Sequence, residues 1–292
     1  SPHSHESCMT DTPIKKFEHS ITITANGKRA IDWLAENTPL SRMQLKKAMA
    51  NGAVWLQINK KQEHMRRATR ELPANSTLHI YFDADILALT APMPTKIADE
   101  RSYSVWYKPA GLLAQGTLQG DHCSLLRIAE QLTQRKTFLV HRLDREANGL
   151  MLVAHTERAA AALSALFQNN RIAKHYRASV HGEWKPAADT ALPLKIDSPI
   201  DGKHAVTWID KATYDAGNAC THLQLHIDTG RKHQIRRHLA ELGHPILGDA
   251  RYGTATHAST LALTASSMEF LCPLANRKRL FVLPPEISAQ PH

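Results

Sequence analysis

Cysteine is scarce in this sequence, and long apolar runs are missing from it. The four cysteines among its 292 residues lie far apart and form no Cys-x-x-Cys pair, which argues against a zinc knuckle and against a disulfide framework. No apolar run approaches the roughly 18 residues of a membrane span, and the first residues lack the apolar core of a signal peptide. We therefore expect a soluble, cytoplasmic protein with no membrane partner and no metal site.

Positive charge is present in excess. Lys and Arg number 36 against 27 Asp and Glu, which gives a net charge of +9 with the 18 histidines counted as neutral. Such a balance favours polyanionic partners, either nucleic acid or an anionic surface, because cations bind phosphates and release counterions. The hydrophobic share of 42% is ordinary for a globular protein, and the length allows two domains.

The chain divides into four predicted segments. Residues 1–14 are polar and without periodicity, which indicates a disordered tail. Residues 15–83 show short strand and helix patterns and are predicted to form a first domain. Residues 84–100 contain two prolines and no apolar period, which predicts an extended linker. Residues 101–292 then form the second domain.

A basic helix is the main feature of the first domain. Ser41 and Gln44 have the spacing of a capping box, and the helix that they open stops at Asn51-Gly52. The order Ser41-Arg42, Gly52-Ala53-Val54-Trp55-Leu56 and Asn59 resembles the passage from helix to sheet in S4 RNA-binding modules. This resemblance implies phosphate contacts, which position a protein without reading base sequence. The alternative is a solvated basic helix on a structural domain. The cations concerned are Arg42, Lys46 and Lys47.

The most distinctive stretch of the second domain places a carboxylate between two arginines. It runs His141-Arg142-Leu143-Asp144-Arg145-Glu146 and continues through a glycine into an apolar run at residues 150–154. Opposite charges favour an ionised carboxylate and can lower its pKa, so Asp144 is a candidate nucleophile or base. The alternative is a surface turn whose solvated ion pairs contribute about 0–1 kcal/mol each.

Two later stretches add basic and aromatic side chains. Residues 172–180 alternate as a strand that places Tyr176 on an apolar face. Residues 223–227 alternate as another strand, and beyond Gly230 the period becomes helical, with Ile235, Leu239 and Leu242 in the apolar stripe. Cations near the start of that helix predict a corner that attracts anions; they are Arg231, Lys232, Arg236 and Arg237.

Four motifs occur together in one known family. They are His141-Arg-Leu-Asp-Arg-Glu-x-x-Gly149-Leu, Lys174-x-Tyr176-x-Ala178, Thr229-Gly-Arg-x-His-Gln-Ile-Arg236 and Leu242-Gly-His-Pro-Ile-Leu-Gly-Asp-x-x-Tyr-Gly253. With them the chain resembles the RluA-type pseudouridine synthases. The resemblance implies an α+β fold, with a mixed, largely antiparallel central sheet and flanking helices, beside a small N-terminal S4-like α/β module.

The resemblance also implies the isomerisation of uridine to pseudouridine in structured RNA, without a cofactor or metal. Asp144 would be the nucleophile, and Tyr176 would stack on the base and take the proton that is later removed. Arg236 would pair with Asp144 and keep it ionised. Arg142 would enter the space left by the flipped nucleotide. The residues implied to bind the substrate are Arg142, His141, Ile235, Arg231, His233 and Gln234.

Ribosomal RNA is the substrate that the S4-like resemblance favours, and a tRNA-directed synthase is an alternative. A second alternative is a catalytically inactive RNA-binding protein on the same scaffold. A phosphotransferase is a third, because His-Arg-Leu-Asp with Asn148 resembles a kinase catalytic loop, but the sequence has neither a Gly-rich phosphate loop nor Asp-Phe-Gly. We expect the protein to be a monomer.

The chain departs from the usual family pattern at several positions. Asn148 stands where members usually have Ser, Lys232 stands where Thr is common, and Thr264 stands where His is usual. None of these changes removes the three residues implied to be catalytic, so activity is expected. We also expect Ser to be tolerated at position 148.

Overall fold

The computed structural model describes residues 12–184, 191–255 and 259–288. Most of the tail predicted at residues 1–14 lies outside these ranges. The chain forms two compact units, one of Ser1–Thr90 with Gly116–His122 and the other of Ala91–Gln115 with Cys123–His292. Among the described helices, none has the length and apolarity that a membrane span requires.

The first unit is a four-stranded antiparallel sheet packed with three helices. Its strand order is β1-β4-β2-β3. The predicted capping box is confirmed, because Gln44 N–H donates to Ser41 Oγ (3.2 Å) and Ser41 N–H donates to Gln44 Oε1 (2.9 Å). The elements are β1 (Lys16–Thr22), α1 (Ala30–Asn37), α2 (Arg42–Ala50), β2 (Val54–Ile58), β3 (Lys61–His64), β4 (Thr77–Asp83) and α3 (Ala84–Ala88).

Helix α2 is amphipathic in the way its sequence predicts. Its residues Leu45, Ala48 and Met49 are fully buried in the core of the first unit, and its cations stay exposed. The edge strand β3 has the sequence Lys-Gln-Glu-His. A strand without apolar alternation gives no periodic signal, so β3 could not be predicted from the sequence.

Two structured elements replace the extended linker expected for residues 84–100. Helix α3 begins because Asp83 Oδ1 accepts the N–H groups of Asp85 (3.0 Å) and Ile86 (3.2 Å). Strand β5 (Thr95–Asp99) pairs antiparallel with β6 (Tyr103–Lys108). Capping and backbone pairing form these elements without an apolar period, so the linker pattern was misleading.

The expected second domain is also interrupted, since residues 116–122 belong to the first unit. In that segment, Asp121 Oδ1 accepts a hydrogen bond from Arg66 Nη1 (3.0 Å). The carbonyl of Leu118 accepts one from Trp55 Nε1 (3.0 Å). The position of residues 116–122 in the sequence therefore does not predict that they belong to the first unit.

The second unit is built on a ten-stranded sheet in the order β10-β11-β12-β9-β13-β8-β6-β5, with β14 paired to β13 and β7 paired to β8. Every pairing is antiparallel except that of β13 with β8. The predicted mixed, largely antiparallel α+β fold is therefore confirmed. The remaining elements are α4 (Leu125–Thr133), β7 (Phe138–Leu139), β8 (Asn148–Ala154), α5 (Glu157–Gln168), β9 (Ala173–His181), β10 (Leu194–Ile196), β11 (Thr207–Asp215), β12 (Cys220–Ile227), α6 (Gln234–Glu241), β13 (Leu263–Cys272), β14 (Arg277–Val282) and α7 (Pro285–Ser288).

Apolar side chains cover both faces of this sheet. Met151 of β8 belongs to one buried cluster and its neighbour Leu152 belongs to the other, since successive strand residues point to opposite faces. All seven residues of β8 are buried. Leu242, predicted to lie in an apolar stripe, is instead 42% exposed, because it lies just beyond the C-terminal end of α6.

Candidate active site

A cavity of ≈ 1050 Å³ opens in the second unit where three segments meet. These segments are the turn before β8, the strand β9, and the connection from β12 into α6. Every residue of this unit that the sequence predicts to be catalytic or substrate-binding lines the cavity. They are Asp144, Tyr176, Arg236, Arg142, His141, Ile235, Arg231, His233 and Gln234.

A buried lysine holds the turn that carries Asp144. Lys108 Nζ donates to the carbonyls of Leu112 and Ala147, both at 2.8 Å, and also to those of Pro109 and Arg145. Burial lowers the pKa of Lys108 to about 7. The four carbonyl oxygens around Nζ nevertheless accept the hydrogen bonds that a protonated lysine donates. The sequence does not predict this role of Lys108.

Gly149 lets β8 start immediately after the turn. Its φ is 128°, in a region that L side chains rarely adopt, and a Cβ there would lie 2.3 Å from the carbonyl oxygen of Ala265 on β13. Any larger residue would push the two strands apart. The close approach fixes the end of the Asp144 turn against the sheet.

Burial, rather than the flanking arginines, dominates the electrostatics of Asp144. The side chain is 31% exposed. Burial raises its pKa above the ordinary value, and the cationic charges of His233 and Arg236 oppose this effect without cancelling it. The expectation that neighbouring arginines lower the pKa was wrong, because Arg142 and Arg145 point to solvent.

Arg236 is anchored by a carboxylate other than the one expected. Its Nη2 and Nε donate to the two oxygens of Asp249 at 2.8 and 3.0 Å, and both side chains are buried. The guanidinium and the carboxylate are therefore joined by two hydrogen bonds, the bidentate arrangement that is typical of strong arginine–carboxylate pairs. Arg236 therefore acts on Asp144 through its charge, and the direct ion pair implied by the resemblance is not formed. Asp249 belongs to the Gly-Asp-x-x-Tyr-Gly motif, and the sequence alone predicts no role for this carboxylate.

His233 lies beside the carboxylate of Asp144. Its Nε2 lies 3.7 Å from Asp144 Oδ1, and its Nδ1 lies 2.8 Å from the hydroxyl of Tyr252. Burial lowers the pKa of His233, and the charge of Asp144 offsets only part of this effect.

Tyr176 lies on β9 and faces the same cavity. Burial raises its pKa, and the negative charge of Asp144 raises it further, so the phenol stays protonated. Ile235, at the start of α6, is 5% exposed and belongs to the same apolar cluster that Tyr176 packs against. Together they offer a flat aromatic ring and an aliphatic wall, which suit a planar base.

Two residues predicted to bind substrate have their polar atoms engaged within the protein. Gln234 Oε1 accepts from Thr229 Oγ1 (2.7 Å), and Gln234 Nε2 donates to the carbonyl of Val206 (2.9 Å). His141 Nε2 accepts the N–H of Leu152 (3.0 Å), and its ring stacks on Phe167 at 4.0 Å. Both residues line the cavity, and both hold its walls in place.

The cavity is rich in cations. Lys174, which the sequence placed on β9 without a separate role, is 9% exposed and lies 5.8 Å from the ring centroid of Phe167. Among the lining residues Asp144 is the one carboxylate, and the cations are Arg142, Lys174, Arg231, Lys232 and Arg236. Such a field attracts a phosphate backbone.

The three cations predicted to bind RNA through the first unit lie on α2. Arg42 Nη1 forms an ion pair of 2.8 Å with Asp32 Oδ1 of α1. Lys46 and Lys47 are exposed. They form a basic helical surface on that unit.

Comparison with known proteins identifies the family. The family model for RNA pseudouridylate synthase matches residues 102–241. The chain is 33% identical over 190 residues to the RNA pseudouridine synthase YjbO of Bacillus subtilis, covering 60% of this chain and 62% of that protein. It is 30% identical over 220 residues to tRNA pseudouridine synthase C of Vibrio parahaemolyticus, covering 64% of this chain and 89% of that one. It is 34% identical over 201 residues to ribosomal large subunit pseudouridine synthase D of Vibrio cholerae, covering 66% and 56%.

A solved structure shares the fold. Human RNA pseudouridylate synthase domain containing 1 superposes with a TM-score of 0.55 at 20% identity, covering 67% of this chain and 85% of the human chain. At this identity the likeness concerns the fold alone. The sequence relatives place the chain in the RluA-type branch of the RNA pseudouridine synthase family, whose members isomerise uridine in RNA.

Proposed function

We propose that Asp144 is the nucleophile with which this chain converts uridine to pseudouridine in structured RNA. The observation that carries the proposal is the position of Asp144, the one carboxylate among the residues that line a cation-rich cavity. The cations hold the RNA backbone, and the charge of Arg236 opposes the effect of burial on the pKa of Asp144. A target uridine must leave its stack to reach this carboxylate.

The chemistry is an isomerisation that needs no co-reactant. The Asp144 carboxylate attacks C1′ of the ribose, and the C1′–N1 bond breaks with its electron pair on the uracil. The uracil turns so that C5 bonds to C1′ and displaces the carboxylate. C5 then loses its proton and N1 gains one, so atoms and charge balance.

Tyr176 supports this reaction as a neutral ring. Because burial raises its pKa, a phenolate base is disfavoured, and its useful property is the aromatic face beside Ile235. The guanidinium of Arg142, which is exposed at the cavity, is free to enter the stack that the flipped uridine vacates. Planarity and a permanent charge suit a guanidinium to that position.

We further propose that the substrate is ribosomal RNA and that the first unit is an S4-like RNA-binding module. Supporting this are the helix pair α1–α2 beside a small sheet, the exposed cations on α2, and a relative named for the large ribosomal subunit. A tRNA substrate is the second candidate, because another relative is named for tRNA.

Release of tritium from RNA labelled at C5 of uridine tests both proposals, since C5 loses its hydrogen only when the new bond forms. The wild-type chain should release tritium from ribosomal RNA and not from tRNA. Asp144→Asn should show only background release, whereas Glu146→Gln should remain active, because Glu146 is a more exposed carboxylate (54%) in the same turn. The nucleophile assignment fails if Asp144→Asn remains active. Release from tRNA alone would overturn the ribosomal substrate.

A further inference from the structure

Three metal-ligating side chains meet at the hairpin between β11 and β12. Asp215 ends β11 and stands directly opposite Cys220, which begins β12. His222 follows two residues later. Directly opposed residues in an antiparallel pair share a face, and so do residues two apart on one strand. All three side chains are therefore on one face of the sheet.

Their donor atoms lie close to the separations that a tetrahedral ion imposes. Cys220 Sγ lies 3.8 Å from His222 Nε2, which lies 3.1 Å from Asp215 Oδ2, and all three donors are within 4.8 Å of one another. Typical zinc distances of about 2.3 Å to sulfur and about 2.0 Å to nitrogen and oxygen place tetrahedral donors roughly 3.3–3.6 Å apart.

Surrounding hydrogen bonds orient two of these ligands. His222 Nδ1 lies 2.8 Å from Ser179 Oγ on β9, so that a proton on Nδ1 leaves Nε2 free for a metal. Asp215 accepts the backbone N–H of Asn218 (3.2 Å) and its side-chain Nδ2 (2.8 Å). Metal ligands in proteins are commonly fixed by such outer contacts.

The charges of the cluster also suit a divalent ion. A thiolate, a carboxylate and a neutral imidazole together carry two negative charges, which cancel those of Zn²⁺. Binding of the metal displaces the proton of the Cys220 thiol to solvent. A sulfur and nitrogen ligand set favours zinc over magnesium or calcium.

We propose that Asp215, Cys220 and His222 form a zinc-binding site that ties the ends of the β11–β12 hairpin together, with water in the fourth position. Cys220 and Ile227 lie at opposite ends of β12, a separation of roughly 20–25 Å at strand rise. Because Ile227 lines the catalytic cavity, the site acts on the stability of the sheet and has no part in the isomerisation.

Cobalt(II) titration of the full, chelator-treated and reduced chain tests the proposal. The wild type should bind one tight Co²⁺ per chain, with a thiolate-to-cobalt charge-transfer band in the near ultraviolet and the visible bands of tetrahedral Co²⁺, and Zn²⁺ should displace it. Cys220→Ala should abolish the thiolate band, and His222→Ala should weaken binding at least tenfold. Stoichiometric Zn²⁺ should raise the thermal midpoint of the wild type and leave that of Cys220→Ala unchanged.

His226→Ala is the matched control. His226 also lies on β12 and also pairs with a carboxylate, Asp210 Oδ2 at 2.7 Å, but no cysteine is part of that pair. The His226→Ala substitution should leave the cobalt spectrum unchanged. The N-terminal His3, His5 and Cys8 offer metal ligands as well, and all variants retain them. Absence of a thiolate band in the wild type, or its persistence in Cys220→Ala, would overturn the proposal.

Discussion

Asn148 and Thr264 hydrogen-bond to each other across the one parallel strand pairing of the large sheet. Thr264 Oγ1 donates to Asn148 Oδ1 at 2.9 Å, and the two residues stand directly opposite in the pairing of β8 with β13. Asn148 Nδ2 also donates to the carbonyl of Leu263 (3.3 Å). Both side chains are buried. Both residues differ from those that are usual in the family. Because they hydrogen-bond to each other, we infer that the two differences compensate for one another.

This pairing changes the expectation that Ser is tolerated at position 148. In Asn148→Ser the shorter side chain does not reach the Thr264 hydroxyl, and an unsatisfied buried group costs about 1–3 kcal/mol. We expect the free energy of unfolding, measured with urea, to fall by that amount. The double variant Asn148→Ser with Thr264→His, which restores both common family residues, should recover part of the loss, with a coupling of about 0.5–3 kcal/mol. Additive effects of the two changes would show that the pair is not coupled.

The second prediction concerns the carboxylate that anchors Arg236. Asp249→Asn replaces the charged partner of an arginine whose side chain is 3% exposed. Breaking a buried ion pair in this way costs about 3–5 kcal/mol, because one charge stays buried without compensation. Urea unfolding should show this loss, and tritium release should fall as well, since Arg236 lines the cavity.

The neighbouring arginine provides a control for that experiment. Arg237 Nη2 pairs with Asp201 Oδ1 at 2.9 Å, but the Asp201 side chain is 67% exposed. Exposed pairs contribute little to stability, so Asp201→Asn should leave the urea midpoint almost unchanged. Equal losses in the two variants would mean that burial of the Arg236–Asp249 pair is not what makes it important.

The third prediction follows from the raised pKa of Asp144. Burial is the main cause, so the folded protein holds this proton to a higher pH than the unfolded chain does. Above the folded-state pKa, ionisation of the buried Asp144 lowers the free energy of unfolding. This destabilisation disappears once the pH falls below the unfolded-state pKa near 3.9. Asp144→Asn should therefore be more stable than the wild type at pH 7 and lose that advantage as the pH falls.

The raised pKa of Asp144 also determines how the activity depends on pH. The nucleophile must be ionised, so kcat/KM for tritium release should fall on acidification through a pKa above that of an ordinary aspartate. A profile that stays flat down to pH 4 would contradict this assignment, as would an Asp144→Asn variant that is less stable than the wild type at pH 7.

The residues that the family resemblance implies at the site all line one cavity. Side-chain partners could not be predicted in this way. Arg236 pairs with Asp249, thirteen positions away, and the turn of Asp144 is held by Lys108 from another strand. Those contacts depend on tertiary packing, which local periodicity does not encode. The same reason explains why β3 and β5, which form by backbone pairing, were missed.

The fourth prediction concerns His141, which supports the site through a neutral imidazole. Burial lowers its pKa to about 3, whereas a histidine in the unfolded chain titrates near 6.5. The unfolded state therefore binds a proton first, and stability is lost as the pH falls from about 6.5 towards 3. His141→Gln keeps an acceptor for the Leu152 N–H and should remove this acid sensitivity. His141→Leu should also remove it but cost about 1–3 kcal/mol at pH 7, because that N–H is left unsatisfied.

The last prediction tests the RNA-binding surface on α2. Lys46→Gln with Lys47→Gln removes two exposed charges that, on the proposed S4-like reading, neutralise phosphates. RNA affinity should fall, and the slope of log affinity against log salt should become shallower by about 0.7–0.9 for each phosphate that is no longer neutralised. Lys60→Gln with Lys61→Gln removes the same charge from the exposed β2–β3 turn of the same unit and should change the slope less. Filter binding of ribosomal RNA fragments at several salt concentrations measures both slopes. If the two double variants behave alike, net charge rather than the surface of α2 accounts for RNA binding by the first unit.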